Sequence, residues 1–435
     1  MRSVVTVRAP VSEKTTHWTF VPTIFLSCLV LPIIFEIGSI RLSPYRIILL
    51  AMLLPCVWGW FIGKMGQTRA SDLLVLAIAV WSAVSFLAVH GFVSGSESAG
   101  IVFIETLTPY MLARICIRNL RDFSAFVRSL AIIVLILSPF ALIETVTGWN
   151  ALLYGVGSLF QTFPDVAKPM RLGFDRVQGP FEHPILFGVF CGTALALCYF
   201  TLRRCRSMLS GAVFFTAGLS LSSGPLTALF AQVGMIVWDR LLRRFRNRWV
   251  LLGVVVAVTY ALVDLISNRS PAEVFISYAA FNSETAYNRI LIWEWSWVNI
   301  WQNPWFGLGN NDWQRLWFMT ASVDMFWVQR ALVHGLPVGL LFQVVFFTVV
   351  VRLIRLSNLT GRSECCRTGL VICLTALFLA GMTVHFWNAT FVWLMFLLGS
   401  AGWLFEEPEV PQKTPVCANV EQFSARTPAG MLASA

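Results

Sequence analysis

Runs of about twenty apolar residues, parted by short polar or glycine-containing gaps, recur from Trp18 to Phe405. A helix of that length crosses about 30 Å of hydrocarbon. The pattern predicts twelve spans, near residues 18–37, 45–63, 72–91, 98–116, 125–145, 184–202, 207–222, 225–239, 249–266, 332–352, 368–386 and 388–405. The runs at 207–222 and 225–239 share one apolar stretch, divided at Ser222-Ser223-Gly224-Pro225, where Gly and Pro favour a tight turn. The first run is too long for a signal-peptide core and no small-residue cleavage site follows it, so it is read as a retained span. The expected fold class is an all-α polytopic membrane protein, with a membrane domain over residues 1–405 and no internal repeats.

Composition agrees. The chain of 435 residues is 57% hydrophobic and 12% charged, against about 25% charged in soluble domains, and its mean hydropathy is +0.72. With the N-terminus placed in the cytoplasm, 23 of the 32 Lys and Arg residues fall in segments on that side. Such an excess marks cytoplasmic loops and predicts both termini inside. It also accounts for the net charge of +10 without a nucleic-acid partner. The run DRLLRRFRNR (Asp239–Arg248) reads as a topology anchor facing anionic lipid headgroups. All ten cysteines fall in spans or on the cytoplasmic side, so no disulfide framework is expected. No His/Cys group has metal-ligand spacing, and no metal or other cofactor is expected.

Two outer segments are long, residues 146–183 and 267–331. Long connections in compact proteins are usually functional or disordered. Both are rich in aromatic and apolar residues and are expected to form large, ordered, helical periplasmic loops. The polar tail from Glu406 to Ala435 lacks periodicity and is expected to be a disordered cytoplasmic segment. Seven outer cations lie in the two loops: Lys168, Arg171, Arg176, Arg269, Arg289, Arg315 and Arg330. Arginine suits phosphate or diphosphate because its planar fork makes two parallel hydrogen bonds; pairing with Asp175, Glu273, Glu284 and Glu294 is the alternative. The second loop also holds eight of the eighteen tryptophans. Arg289, Trp293, Trp297 and Trp301 are spaced by four and fall on one helical stripe. That stripe is either an interfacial helix with its rings at headgroup depth or a surface for stacking sugars.

Three segments resemble motifs of one family. RVQGPFEHPILFG (Arg176–Gly188) resembles the R-x-x-G-x-F-x-H-P motif of the O-antigen ligase and Wzy-type polymerase superfamily. LSLSSGPLTALF (Leu219–Phe230) resembles that family's short Ser/Gly segment between paired spans, without its usual arginine. NRILIWEWSWVNIWQNPWFGLGNNDW (Asn288–Trp313) resembles its R-x-x-x-W…P-x-x-G-x-G loop signature. The resemblance implies a GT-C-like, metal-independent glycosyltransferase in the bacterial cytoplasmic membrane with its active site on the periplasmic side. Its substrates would be undecaprenyl-diphosphate-linked oligosaccharides and a glycan acceptor. A chain-length regulator, the flippase of the same pathway and membrane lipids would be partners.

The family's diphosphate-binding arginines map to Arg176 and Arg289. Arg171, Lys168, His183, Trp293, Trp297, Arg315 and Arg330 are further candidates for substrate binding. The family histidine falls, by its distance from Gly335, on Asp324, and His334 is the second choice of base. A carboxylate can serve as base in an inverting sugar transfer; the alternative for Asp324 is a helix cap. A helix continuous from Asp324 would place His334 about 15 Å further in. For the whole chain, a repeat-unit polymerase is the first reading and a ligase to lipid A core or another acceptor the second. A transporter or flippase for such lipids and an inactive assembly homologue are the others.

Overall fold

The computed structural model describes residues 20–38, 40–245, 247–278, 283–356, 359 and 361–406. Helices dominate. They are α1 (Val21–Leu29), α2 (Pro44–Phe61), α3 (Ala70–Cys116), α4 (Leu120–Thr147), α5 (Ala151–Gly157), α6 (Pro184–Thr201), α7 (Arg206–Gly218) and α8 (Ser223–Leu241). Then come α9 (Arg248–Ile266), α10 (Pro271–Tyr278), α11 (Ser283–Gln302), α12 (Phe326–His334), α13 (Leu336–Arg355), α14 (Gly361–Gly381) and α15 (Asn388–Gly399). One antiparallel hairpin, β1 (Phe35–Ile37) and β2 (Ile40–Leu42), joins α1 to α2.

Among the described residues, eight helices are long and apolar enough to cross a membrane: α2, α3, α4, α6, α9, α13, α14 and α15 with its extension to Phe405. The protein is therefore a helical, membrane-embedded chain, with eight such helices rather than the twelve predicted. Part of the difference is a matter of connection. α3 has 47 residues, twice the length of a span, and breaks at Gly91, whose φ of 74° and ψ of 171° are non-helical. The arms return on each other: Tyr110 donates to Asp72 at 2.7 Å, and Arg114 Nε donates to the same carboxylate at 3.2 Å. The segments predicted at 72–91 and 98–116 are these two arms.

Three predicted spans do differ. The helix in 18–37 stops at Leu29, after nine residues, and gives way to the β-hairpin. α7, within 207–222, has 13 residues, about 20 Å long at 1.5 Å per residue. α8 is long enough, but Gln232, Asp239 and Arg240 lower its hydropathy, and its predicted start moves back to Ser223. Residues 219–222 between α7 and α8 turn sharply, with Leu221 at a φ of 44°, so the apolar stretch folds back on itself.

The core forms around α15 and α6, which are buried on nearly every side. Trp393 packs against Phe126, Phe190 and Phe396 at centroid distances of 5.3–6.0 Å. α9, by contrast, has no buried residue and is apolar all round, as a helix facing lipid should be. At one end of the bundle Arg114, 1% exposed, binds Asp72 and reaches Glu406 at 3.3 Å. Glu406 also pairs with Arg118 at 2.6 Å, so the first residue of the predicted tail belongs to the fold; the rest of that tail lies outside the described residues. Removing one partner of a buried pair costs about 3–5 kcal/mol. Arg114→Ala should therefore lower the thermal midpoint in detergent by several degrees, and an unchanged midpoint would contradict the assigned role.

The two outer loops differ from each other. Residues 267–331 are largely helical, through α10, α11 and the start of α12. Residues 146–183 are not as predicted: they hold only the seven-residue α5 and then run extended, with bridges Ile33–Thr162 and Arg171–Phe174. Glu144, at the end of α4 and 1% exposed, fixes this loop. Its carboxylate accepts from the backbone N–H groups of Gln178 and Gly179 at 2.8 and 2.9 Å. A loop tied by a buried carboxylate has no need of helical hydrogen bonds.

Candidate functional site

Arg176 leaves the extended part of the first loop, where Val177 N–H bonds the Leu219 carbonyl at 3.2 Å and docks the strand on the α7–α8 turn. Its Nη2 donates to Ser222 Oγ at 2.7 Å, and its Nε lies 3.5 Å from the Ser220 carbonyl. Arg171 donates to the Leu221 carbonyl at 2.7 Å. The α7–α8 turn is thus a cradle of uncharged oxygens for two guanidiniums. Only 5% of Arg176 is exposed, and burial, with Arg171 beside it, pushes it down to about 10. Sequence reasoning recognised the Ser/Gly segment but missed that its oxygens grip these arginines.

Arg289 enters from α11. It is 5% exposed, and neither Nε nor Nη1 has a hydrogen-bond partner among the described residues. Burial lowers its pKa from the ordinary value, Asp324 opposes that shift and Arg171 adds to it. His183 reports on the same neighbourhood. Burial comes first, then nearby Arg176, with Asp324 opposing and Lys168 and Arg171 adding, and together they push it down to about 4. His183 is thus within electrostatic reach of Arg171, Arg176 and Asp324, and Arg289 of Arg171 and Asp324, so three stretches of chain converge on one neighbourhood.

His183 is neutral at physiological pH. Its Nδ1 accepts from Ile185 N–H at 3.2 Å and caps α6, which leaves the ring proton on Nε2. Lys168 is spoken for as well: its Nζ lies 2.7 Å from Glu144 and 3.2 Å from Asp165. It closes the first loop and contributes to the site by its charge.

Asp324 is not a helix cap. Met325 is the N-cap of α12 and there is no side-chain capping bond; Asp324 precedes it, half-buried, and accepts from Ser322 Oγ at 2.5 Å. Nor is the helix continuous into the span. It ends at His334 and restarts at Leu336, because Gly335 has a φ of 87°. A Cβ at Gly335 would collide with the Trp305 carbonyl, so the loop that follows α11 passes directly over this break. His334 is 1% exposed, bonded through Nδ1 to Ser85 Oγ at 2.9 Å and set edge-on to Phe86 at 5.0 Å. It is an interior residue.

Two predicted site arginines lie elsewhere. Arg330 is folded under the loops, its guanidinium 4.2 Å from the Phe391 ring and 5.0 Å from that of Phe326. Arg315 pairs with Asp312 and lies 5.8 Å from the Trp313 ring. Each has an aromatic partner that the spacing of charges alone does not reveal. The tryptophan stripe is present on α11, with Trp293 and Trp297 5.8 Å apart and Trp301 6.3 Å further on. Trp293 and Trp297 line an apolar cavity of about 240 Å³ together with Leu336, Leu340, Phe378 and Met382 of α13 and the α14 end. These walls suit a hydrocarbon chain better than a sugar face.

A further group was not foreseen. Glu182, beside His183, accepts from Asn388 Nδ2 at 2.6 Å. Asn388 in turn accepts from Arg46, which is bound to Glu105 at 2.7 Å. Burial pushes Glu182 up to about 7, against the opposing Asn388 bond. Its residue type inside the quoted motif was the available signal, but its partner lies 206 residues away. Among the described residues no group of His, Cys, Asp and Glu is arranged to hold a metal ion. No protein-family model matches the chain, and comparison with curated proteins gives no match.

Proposed function

We propose that this protein polymerises undecaprenyl-diphosphate-linked oligosaccharide repeat units, at the outer face of a bacterial cytoplasmic membrane, in the synthesis of a surface or exopolysaccharide. One observation carries the reading. Arg289 is a buried guanidinium with two nitrogens that have no hydrogen-bond partner among the described residues, within electrostatic reach of Arg171, which in turn neighbours Arg176. Buried donors left without hydrogen bonds are costly, and Asp324 acts on Arg289 only through its field, so those nitrogens are open to an anion. A diphosphate fits three guanidiniums, which bind phosphate oxygens in pairs. One turn along α11, Trp293 begins the apolar cavity, so a ligand with a diphosphate head at Arg289 would lay a hydrocarbon tail there.

In the proposed reaction the hydroxyl of an acceptor sugar attacks the anomeric carbon of the donor from the face opposite the diphosphate. The C–O bond to phosphate breaks, its electron pair leaves on the lipid diphosphate, and configuration inverts. The acceptor proton passes to the Asp324 carboxylate. Arg289, Arg176 and Arg171 stabilise the charge growing on the leaving group, where fixed cations lower a barrier most. A ligase would share this donor chemistry and differ in acceptor. The transporter reading has less support, because the arginines gather in loops at one end of the helices rather than on broken helices at mid-span.

The test is purified full-length protein with lipid-linked repeat units extracted from the producing cell. A ladder of longer lipid-linked glycans is the expected product. Transfer only to a separate acceptor such as lipid A core would move the assignment to a ligase, and no transfer to either would refute the glycosyltransferase reading.

A further inference from the structure

A second cavity lies beside the arginine site, and the reaction above does not use it. It holds about 340 Å³ between the α11–α12 loop, α12 and the α14–α15 connection, within the range of small-ligand pockets, about 300–1,000 Å³. Its rim carries the exposed amides Asn310 and Asn311, and its wall includes Ser322, Gln329 and His385. Two of these wall residues are unsatisfied: Gln329 Oε1 and His385 Nε2 are buried without a hydrogen-bond partner among the described residues. A buried polar atom left unpaired costs about 1–3 kcal/mol, and here two such residues border the same empty space, where a modest rotation would bring them to a ligand.

The walls are polar but carry no net charge. Asp312, at the rim, is matched by Arg315. His385 is neutral, because burial, with Arg330 adding, pushes it down to about 3. Neutral donors and acceptors in a row suit hydroxyl groups and reject phosphate, the reverse of the arginine site. The two sites touch through one residue. Ser322 lines this cavity, and its hydroxyl donates to Asp324 at 2.5 Å. A hydroxyl seated next to Ser322 is therefore beside the carboxylate that would take its proton.

We infer that this cavity is the acceptor subsite, holding an uncharged, hydroxyl-rich stretch of the growing glycan through Asn311, Gln329 and His385, with the reacting hydroxyl at Ser322 and Asp324. The assignment of the ligand as an acceptor rests on the proposed polymerase reading; the hydroxyl-binding chemistry of the cavity does not.

The test uses two readouts. Full-length protein in detergent is titrated with oligosaccharides released by mild acid from the producing cell's own polysaccharide, and binding is followed through tryptophan fluorescence, since Trp313 lines the cavity. Gln329→Ala and His385→Ala should each weaken binding about tenfold, the worth of one lost hydrogen bond of about 1.4 kcal/mol. Asn311→Ala, at an exposed position that folding does not depend on, should weaken it to a smaller but measurable degree. In the polymerisation assay the same variants should raise KM for acceptor and leave kcat near wild type. Fragments that bind wild type and not the variants, in a protein that makes no ladder, would keep the cavity and discard the polymerase. A ladder with unchanged KM and unchanged fragment binding in Asn311→Ala and in folded Gln329→Ala would discard the cavity and keep the polymerase. Failure of wild-type protein to bind fragments at millimolar concentration would also overturn it.

Discussion

Arg289→Ala abolishes high-molecular-weight polysaccharide in the producing cell and lowers turnover of purified protein by about 10²–10³-fold, the usual effect of removing one group that stabilises a developing negative charge. The expected result has a second half that a structural arginine would not give. Arg289 is buried, and its Nε and Nη1 are without partners among the described residues. Its removal takes unsatisfied buried donors out of the interior but also deprives nearby Asp324 of a favourable cation, so the thermal midpoint should change little and membrane abundance should hold. Activity lost and stability kept is the signature of strain retained for function. Arg289→Lys restores a point charge without the planar fork and should recover only part of the rate. Arg176→Ala should be as inactive but less stable, since Arg176 also ties the first loop to Ser222. Normal chain lengths with Arg289→Ala would sink the anion-site assignment.

Asp324→Asn should lower turnover by about 10²–10⁴-fold, the range attributed to a positioned general base, with the fold intact. The asparagine preserves size and can still accept from Ser322, but it cannot take a proton. His334→Ala should do the opposite. It removes the partner of Ser85 and the edge contact with Phe86, so the thermal midpoint falls while turnover per folded molecule stays near wild type. Measuring both variants for rate and midpoint separates the two residues. If Asp324→Asn kept its rate and a folded His334→Ala lost it, the base would be His334.

The spans were legible because a helix that faces lipid on any side must be apolar for its whole length, and nine arms sit where the periodicity put them. The misreadings have a common source. Hydropathy registers that a stretch is buried, not whether lipid or protein buries it. The run at 18–37 and α7 each bury one face in the protein and leave other apolar side chains, such as Ile24 and Phe215, exposed, and a segment half-packed on its neighbours can be short, turn back, or end in a β-hairpin. The arginine site was legible for another reason: cations outside a bilayer run against the charge bias, so Arg171, Arg176 and Arg289 stood out one by one. That they meet was not readable, since the meeting depends on the α7–α8 turn and on α11. Arg330 stood out equally and is used differently, because the ring it packs against most closely, that of Phe391, comes from α15. The break at Gly335 hid behind an unbroken apolar pattern, and it separates Asp324 from His334 more decisively than distance along a helix would.

The uncharged cradle at Ser220, Leu221 and Ser222 has a kinetic consequence. Had a carboxylate held Arg176, an arriving diphosphate would have had to displace it, and a departing one would have been expelled as it returned. Carbonyl and hydroxyl oxygens offer no such exchange. With the acceptor proton on Asp324, the site is no less positive after the reaction than before it, and in a polymerase the spent lipid diphosphate would leave against the attraction that drew the donor in. Escape of the carrier lipid, rather than bond formation, is then the natural bottleneck of the cycle, and the pool of spent carrier in the outer leaflet becomes a brake on chain growth.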